Sequence, residues 1–166
     1  MKTLIVSYSL TGHTQQLVDE VAALLNADVE VLESSIKRGF FGYVRLAIDM
    51  LRKVDPTLGP LAHDPADYDM VVLAGPIWSR RMCSPTRIYT LQHKERFTKT
   101  ALLCTSRSGE PGYAERCAVA VSEAIGIKPV AALGLSMKQL DADHARSIAH
   151  FVAALTADKH EKRTGG

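Results

Sequence analysis

The sequence has few cysteines, no long apolar run and little net charge, and each shortage excludes a class of protein. Its 166 residues hold three cysteines without Cys-x-x-Cys spacing, which argues against a disulfide framework or a zinc site. No run approaches the roughly 20 apolar residues that cross a bilayer, and the stretch 2–8 is too short for a signal-peptide core. The formal charge of +2 is too small to predict nucleic-acid binding. We therefore expect a soluble, cytoplasmic protein with no membrane span, no metal site and reduced thiols.

Proline and glycine are also too scarce for a disordered chain. The 7 prolines and 11 glycines stand beside 46% hydrophobic and 23% charged residues, an ordinary globular balance. A chain of this length buries roughly two thirds of its unfolded surface in one core. We expect a single domain over 1–157, followed by a polar, disordered tail over 158–166.

Five short apolar runs have the length of strands. Four have the β-branched content of strands buried on both faces, as in a parallel sheet, and they cover 4–6, 70–74, 101–104 and 130–133. The fifth, 29–32, contains Glu30, and a charge within the run suits an edge strand. The second strand is therefore predicted at the edge of the sheet.

Segments with helical period separate these runs. Apolar residues recur at Leu17, Val21, Leu24 and Leu25, and again within 40–51, 114–125 and 145–155, with a shorter helix expected after Pro85. Right-handed crossovers turn this alternation into a doubly wound α/β fold, with a five-stranded parallel sheet in the order 2-1-3-4-5. Gly126 can end the helix 114–125, and Asp141 can cap the last helix.

The loop after the first strand has the composition of an anion site. It consists of Ser9, Leu10, Thr11, Gly12, His13 and Thr14. Ligands of open α/β sheets bind at the carboxyl ends of the strands, where the strand order reverses, and a helix follows this loop. Gly12 permits unusual backbone angles, and the three hydroxyls can donate to phosphate oxygens. Neither a Walker loop nor a GxGxxG fingerprint is present, and a plain strand-to-helix turn remains the alternative.

This loop resembles the phosphate loop of the flavodoxin family, which has the pattern Ser/Thr-x-Thr-Gly-x-Thr. Every specified position from Ser9 to Thr14 matches, and His13 stands where the family often has Asn. The resemblance runs from Lys2 to about Leu155. It implies a three-layer α/β/α sandwich that binds flavin mononucleotide (FMN) by its phosphate.

The resemblance also places the flavin ring between the loops after the third and fourth strands. The implied contacts are Pro76, Ile77, Trp78 and Ser79 in the first loop, and Thr105, Ser106, Arg107, Ser108, Gly109 and Tyr113 in the second. Trp78, the only tryptophan, can stack on a flavin, although filling the core is the usual role of this residue. Tyr113 can lie in the loop or in the first turn of the next helix.

Basic residues lie near the predicted site. Arg80 and Arg81 either raise the positive potential beside the flavin, favouring an anionic reduced flavin or an anionic substrate, or are solvated loop side chains. Cys83 is either a thiolate that these arginines activate or an inert, partly buried thiol. The segment 37–53 has five basic residues and one acid, and its role stays open. The stretch between Glu33 and Asp69, including 37–43, is longer than in many small flavodoxins, and a partner surface and a lid are the two interpretations of it.

A flavin carries its own redox chemistry, so no catalytic side chain is predicted. Shuttle flavodoxins are strongly acidic and this chain is slightly basic, which favours an FMN-dependent oxidoreductase between NAD(P)H and a quinone-like or other small acceptor. The alternative is an electron carrier serving a redox protein partner. A non-flavin signalling receiver would need acidic residues where Ser7, Tyr8, Ser9, Gly75 and Pro76 stand.

Overall fold

The structure is a computed structural model that describes residues 1–35, 56–107, 111–142 and 144–161. Strands and helices alternate along these residues. The strands are β1 (Thr3–Ser7), β2 (Asp28–Val31), β3 (Met70–Trp78), β4 (Arg81–Met82), β5 (Thr100–Ser106) and β6 (Ala132–Ser136). The helices are α1 (His13–Leu25), α2 (Ser84–His93), α3 (Tyr113–Ile125), α4 (Met137–Leu140) and α5 (Ala145–Glu161).

Five of these strands form a parallel sheet in the order β2-β1-β3-β5-β6. These are the five strands that the apolar runs predict, so the doubly wound sheet and its order are confirmed. The short β4 was not predicted and pairs antiparallel with the end of β3. The register sets Ser7 beside Ala74 and Pro76 beside Thr105, which brings the carboxyl ends of β1, β3 and β5 together.

Side-chain alternation along the central strands produces a core on each side of the sheet. In β1, Leu4 and Val6 contribute to one cluster and Ile5 to the other. The Ile5 side is covered by α1 and α5, and the opposite side by α2 and α3. This is the predicted three-layer sandwich. None of the helices in the described part of the chain is both long and apolar enough to cross a membrane.

Two strands differ from their predicted limits. β3 continues four residues beyond 74, because its pairing with β5 extends to Pro76 and its pairing with β4 extends to Trp78. β6 covers 132–136 instead of 130–133, since its ladder with β5 runs as far as Ser136. Gly134 and Ser136 interrupt any apolar pattern there, so only the neighbouring strand decides these limits.

The edge position of β2 is confirmed, but its charged residue is buried. Glu30 is 5% exposed, and one carboxylate oxygen accepts the backbone N–H groups of Ala62 and His63 at 2.9 and 2.8 Å. The same oxygen lies 2.9 Å from Nδ1 of His63. A buried carboxylate needs such partners, and here they fasten the segment before β3 to the sheet edge.

The prediction that Asp141 caps the last helix is wrong. Asp141 ends the short helix α4, and α5 begins only at Ala145. Ser136 caps α4, because its hydroxyl accepts the backbone N–H of Gln139 while the Gln139 side chain accepts the backbone N–H of Ser136. Because this unpredicted helix covers Met137–Leu140, Asp141 follows α4 and does not precede α5 directly.

The other helices follow their predicted periods with two differences. Gly126 ends α3 in a left-handed conformation with φ of 74°, as predicted. In α1, Leu17 and Val21 are buried, each contributing roughly 1.5–3 kcal/mol, whereas Leu24 is 62% exposed. α5 continues to Glu161, so 158–161 of the predicted tail are helical.

The helix predicted over 40–51, the basic segment around it and 162–166 lie outside the described residues.

Candidate functional site

The loop between β1 and α1 has the backbone geometry of an anion site. Gly12 immediately precedes the helix with φ of 95°, and its carbonyl accepts the backbone N–H of Gln16 at 3.0 Å. No side chain caps this helix and its first turn holds no acid. The first N–H groups of a helix lack intrahelical partners, and the helix dipole favours negative charge beside them. A 13-residue helix therefore presents free donors at the end of β1.

The hydroxyls of this loop have different roles. Ser9 Oγ accepts the backbone N–H of Gly12 at 3.0 Å, which folds the loop and leaves the Ser9 hydroxyl hydrogen available. Thr11 is exposed. Thr14 is buried, and its Oγ1 lies 2.7 Å from Oγ1 of Thr105 at the end of β5. Since one hydroxyl donates to the other, a single hydrogen of this pair remains for a further acceptor. A contact between Thr14 and phosphate stays a prediction.

Trp78 is the last residue of β3 and is half-buried. Its ring meets the ring of Tyr8 edge-on, with 5.8 Å between centroids and 87° between planes. Tyr8 directly follows β1, and its backbone N–H donates to the carbonyl of Ala74 at 3.2 Å. Trp78 thus packs on the core and also lies at the strand ends, and its stacking on a flavin stays a prediction.

A tight hairpin follows Trp78, and no sequence signal predicts it. β3 and β4 pair Ile77 with Met82 and Trp78 with Arg81, leaving Ser79 and Arg80 as a two-residue turn. Both turn residues have positive φ, 47° and 66°. Such turns normally contain Asn-Gly, and a left-handed residue other than glycine costs about 1–2 kcal/mol.

Cys83 follows this hairpin and is fully buried. Its Sγ lies 3.2 Å from Oγ1 of Thr86, which donates to the carbonyl of Ala74 at 3.0 Å. Burial raises the pKa of the Cys83 thiol to about 11, which opposes formation of a thiolate. The structure therefore supports the inert thiol over the activated one. Cys104 and Cys117 are also buried free thiols.

A cavity of about 200 Å³ opens at the ends of β3, β5 and β6. Four predicted site residues line it: Ile77, Thr105, Ser106 and Tyr113. Tyr113 is the first residue of α3, which is the second of its two predicted positions, and the Arg116 guanidinium lies 4.6 Å from its ring centroid. A larger cavity of about 420 Å³ lies between β6 and α5, and no predicted site residue lines it.

Two further lining residues, Pro111 and Gly112, belong to the loop predicted after β5. The sequence did not indicate the other six, which are Cys104, Ala114, Glu115, Gly134, Ser136 and Gln139. Three of these six flank that loop, and the last three come from β6 and α4. Nothing in the sequence marks those three, because only the pairing of β6 with β5 brings them to the site.

None of the other predicted residues that the structure describes lines this cavity. Pro76 is half-buried within β3, and Ser79 and Arg107 are exposed. Ser108 and Gly109 lie outside the described residues. In the ranges that the structure describes, no group of three or more His, Cys, Asp or Glu side chains could hold a metal ion.

Solved structures share this architecture at low sequence identity. A flavoprotein from Lactobacillus acidophilus NCFM, solved in complex with FMN, is 17% identical, with a TM-score of 0.62 over 89% of this chain and 98% of that one. Oxidised flavodoxin 1 from Bacillus cereus is 15% identical, with a TM-score of 0.54 over 96% and 99%. The WrbA-like flavodoxin from Agrobacterium tumefaciens is also 15% identical, with a TM-score of 0.54 over 96% and 98%.

These similarities identify the fold of the chain as flavodoxin-like. No protein-family model and no curated protein sequence matches the chain. The fold therefore stands on the structural agreement, while the activity has to be argued from the residues at the strand ends.

Proposed function

We propose that this protein binds FMN across the carboxyl ends of β1, β3 and β5 and passes electrons from NAD(P)H to a quinone-like or other small acceptor. The observation that carries the proposal is the joint placement of three features at one end of the sheet. They are the uncapped N-terminus of α1, the half-buried Trp78 and the cavity beside Thr105 and Tyr113.

The residues present fit the chemistry of FMN. The phosphate needs donors and no nearby carboxylate, and the loop 9–14 supplies backbone N–H groups, the Thr11 hydroxyl and an acid-free first turn. The flat ring needs aromatic or apolar walls, which Trp78, Ile77 and Tyr113 can provide. Gly12 sits where a side chain would strain the loop that closes on the phosphate.

The protein supplies binding, orientation and electrostatics, because bound FMN would itself accept and release electrons. The net reaction balances without another reactant: NAD(P)H, one proton and a quinone give NAD(P)+ and the hydroquinone. The hydrogen bond between Thr14 and Thr105 would hold the phosphate loop and the ring loop at a constant separation.

The decisive experiment compares FMN with riboflavin, which lacks the phosphate. We expect the purified chain incubated with FMN to absorb near about 450 nm and to bind FMN at least roughly tenfold more tightly than riboflavin, since one charge-assisted hydrogen bond is worth that factor or more. Thr11→Val and Gly12→Val should each weaken FMN binding and leave riboflavin binding nearly unchanged. A colourless protein would refute the proposal, and equal affinities for both flavins would remove the phosphate site.

An electron carrier for an acidic redox protein is the second candidate, favoured by the exposed arginines Arg80 and Arg81 beside Trp78. The two functions differ in their response to a pyridine nucleotide. Without oxygen, NADH or NADPH should bleach the FMN complex of an oxidoreductase. A carrier would stay oxidised until a partner reductase is added.

A further inference from the structure

The hairpin after β3 places a cation next to the only tryptophan of the chain. Trp78 and Arg81 are paired across the antiparallel ribbon, so their side chains leave it on the same face with Cβ atoms about 4.5–5.5 Å apart. The preceding pair, Ile77 and Met82, uses the other face, where Met82 is buried and Ile77 lines the cavity. The antiparallel pairing therefore places Arg81 beside Trp78, the predicted contact of the flavin ring.

The turn adds a second cation at a conformational cost. Arg80 has φ of 66°, a value that glycine or asparagine adopts far more readily, yet the position carries a long charged side chain. Both Arg80 and Arg81 are exposed. None of the ion pairs between described residues, such as Arg96 with Asp64 or Lys94 with Glu95, includes Arg80 or Arg81. Both charges therefore face solvent beside Trp78.

We infer that the hairpin 77–82 is an anion-recognition element and that the small acceptor at this site carries a carboxylate, sulfonate or phosphate group. This inference rests on the proposed function, because it assigns a substrate class to the same site. Arg81 provides the charge beside Trp78, and Arg80 widens the positive region over the turn. The field of two exposed guanidinium groups beside Trp78 attracts anions and repels cations.

The first experiment measures the field at Trp78 in the flavin-free protein. Tryptophan fluorescence is quenched with iodide, an anion, and with acrylamide, which is neutral, at constant ionic strength. We expect Arg81→Gln to lower the iodide-to-acrylamide ratio of quenching constants roughly two- to threefold, the effect of one unit charge at about 6 Å in water. Lys128→Gln, which removes an exposed lysine between α3 and β6 at the other end of the sheet, should leave the ratio unchanged.

The variant Arg80→Gly distinguishes the effect of the Arg80 charge on anions from its effect on the stability of the fold. Glycine adopts the positive φ of this position without steric strain, so the variant should unfold at a higher urea concentration than the native chain. Its iodide-to-acrylamide ratio of quenching constants should fall. An unchanged ratio in both arginine variants, or an equal fall in Lys128→Gln, would overturn the inference. The stability measurement shows that the folded protein was tested.

The second experiment uses the FMN complex, chemically reduced, with a naphthoquinone and its sulfonated analogue as acceptors. We expect the sulfonated acceptor to react severalfold faster relative to the neutral one, and Arg81→Gln or added salt to remove this preference. If FMN binds and the two quinones show no charge preference in the native chain, this inference fails and the proposed function stands. If FMN does not bind, both fail. A strong preference for an acidic redox protein over both quinones would overturn the small-molecule assignment.

Discussion

Thr14 and Thr105 are 91 positions apart in the chain, yet their hydroxyl oxygens lie 2.7 Å apart in a buried hydrogen bond. Thr14 lies in the first turn of α1 and Thr105 near the end of β5, with β3 between their strands in the sheet. The contact joins the predicted phosphate loop to the predicted ring loop.

This pair predicts a large coupling between two substitutions. Thr105→Val leaves the buried Thr14 hydroxyl without its partner and should lower the free energy of unfolding by about 1–3 kcal/mol, as should Thr14→Val. The double variant removes both hydroxyls, so its loss of unfolding free energy should be clearly smaller than the sum of the two single losses. Urea denaturation of the flavin-free protein measures all three, and simple additivity would contradict the hydrogen bond.

Gly12 and Gly126 provide a matched test of the phosphate loop. Both have positive φ, 95° and 74°, and a Cβ built on either meets nothing within 4 Å. Alanine at either position should therefore destabilise through the backbone alone, by about 1–2 kcal/mol. Only Gly12→Ala should also weaken FMN binding, because Gly126 ends α3 at the other end of the sheet. Similar losses of FMN affinity in both variants would argue against a specific role of Gly12.

Gly75 is required by the close approach of α2 to β3. A Cβ at this position would lie 2.8 Å from both Cys83 Sγ and Thr86 Oγ1. Gly75→Ala should cost roughly 1–3 kcal/mol of stability, since a packed core cannot absorb the added methyl group. Combining it with Cys83→Ala should recover part of that loss in thermal or urea unfolding, whereas independent effects would show that the thiol is not the obstacle.

The buried Cys83 thiol predicts a loss of stability in alkaline solution. Its pKa is about 11 in the folded protein against an ordinary value of 9.0, so between these values the unfolded chain has lost a proton that the folded chain retains. The free energy of unfolding should therefore fall as pH rises from 9 to 11, by roughly 2–3 kcal/mol from this group. In urea titrations at several pH values, Cys83→Ala should lose less unfolding free energy between pH 9 and 11 than the native chain. Parallel pH profiles of the two proteins would contradict the assignment of this pKa to Cys83.

Part of the site is visible in the sequence because local patterns produce it. Ser9, Thr11, Gly12 and Thr14 follow an apolar run and precede a helical period, which suffices to predict a turn with donors at a helix N-terminus. Trp78 follows the next buried run and is expected at the strand ends for the same reason.

Other features depend on contacts that no local pattern encodes. The turn of Ser79 and Arg80 lacks the Asn-Gly signal, and the pairing of Trp78 with Arg81 forces its left-handed conformation. Glu30 looks like a solvent-facing charge at an edge, but backbone donors from a segment some thirty residues later bury it. The sequence predicts Asp141 as an N-cap, but in the structure Asp141 ends the short helix α4.

The sequence by itself determined the order of strands and helices, the edge strand and the loop 9–14, because apolar period and turn chemistry act over a few neighbouring residues. Only the tertiary structure decided that Thr14 bonds Thr105, that Gly134, Ser136 and Gln139 help line the cavity, and that Arg81 stands beside Trp78. These relationships arise from strand pairing across large sequence separations. Their energies come from burial and register, which exist only once the sheet has formed.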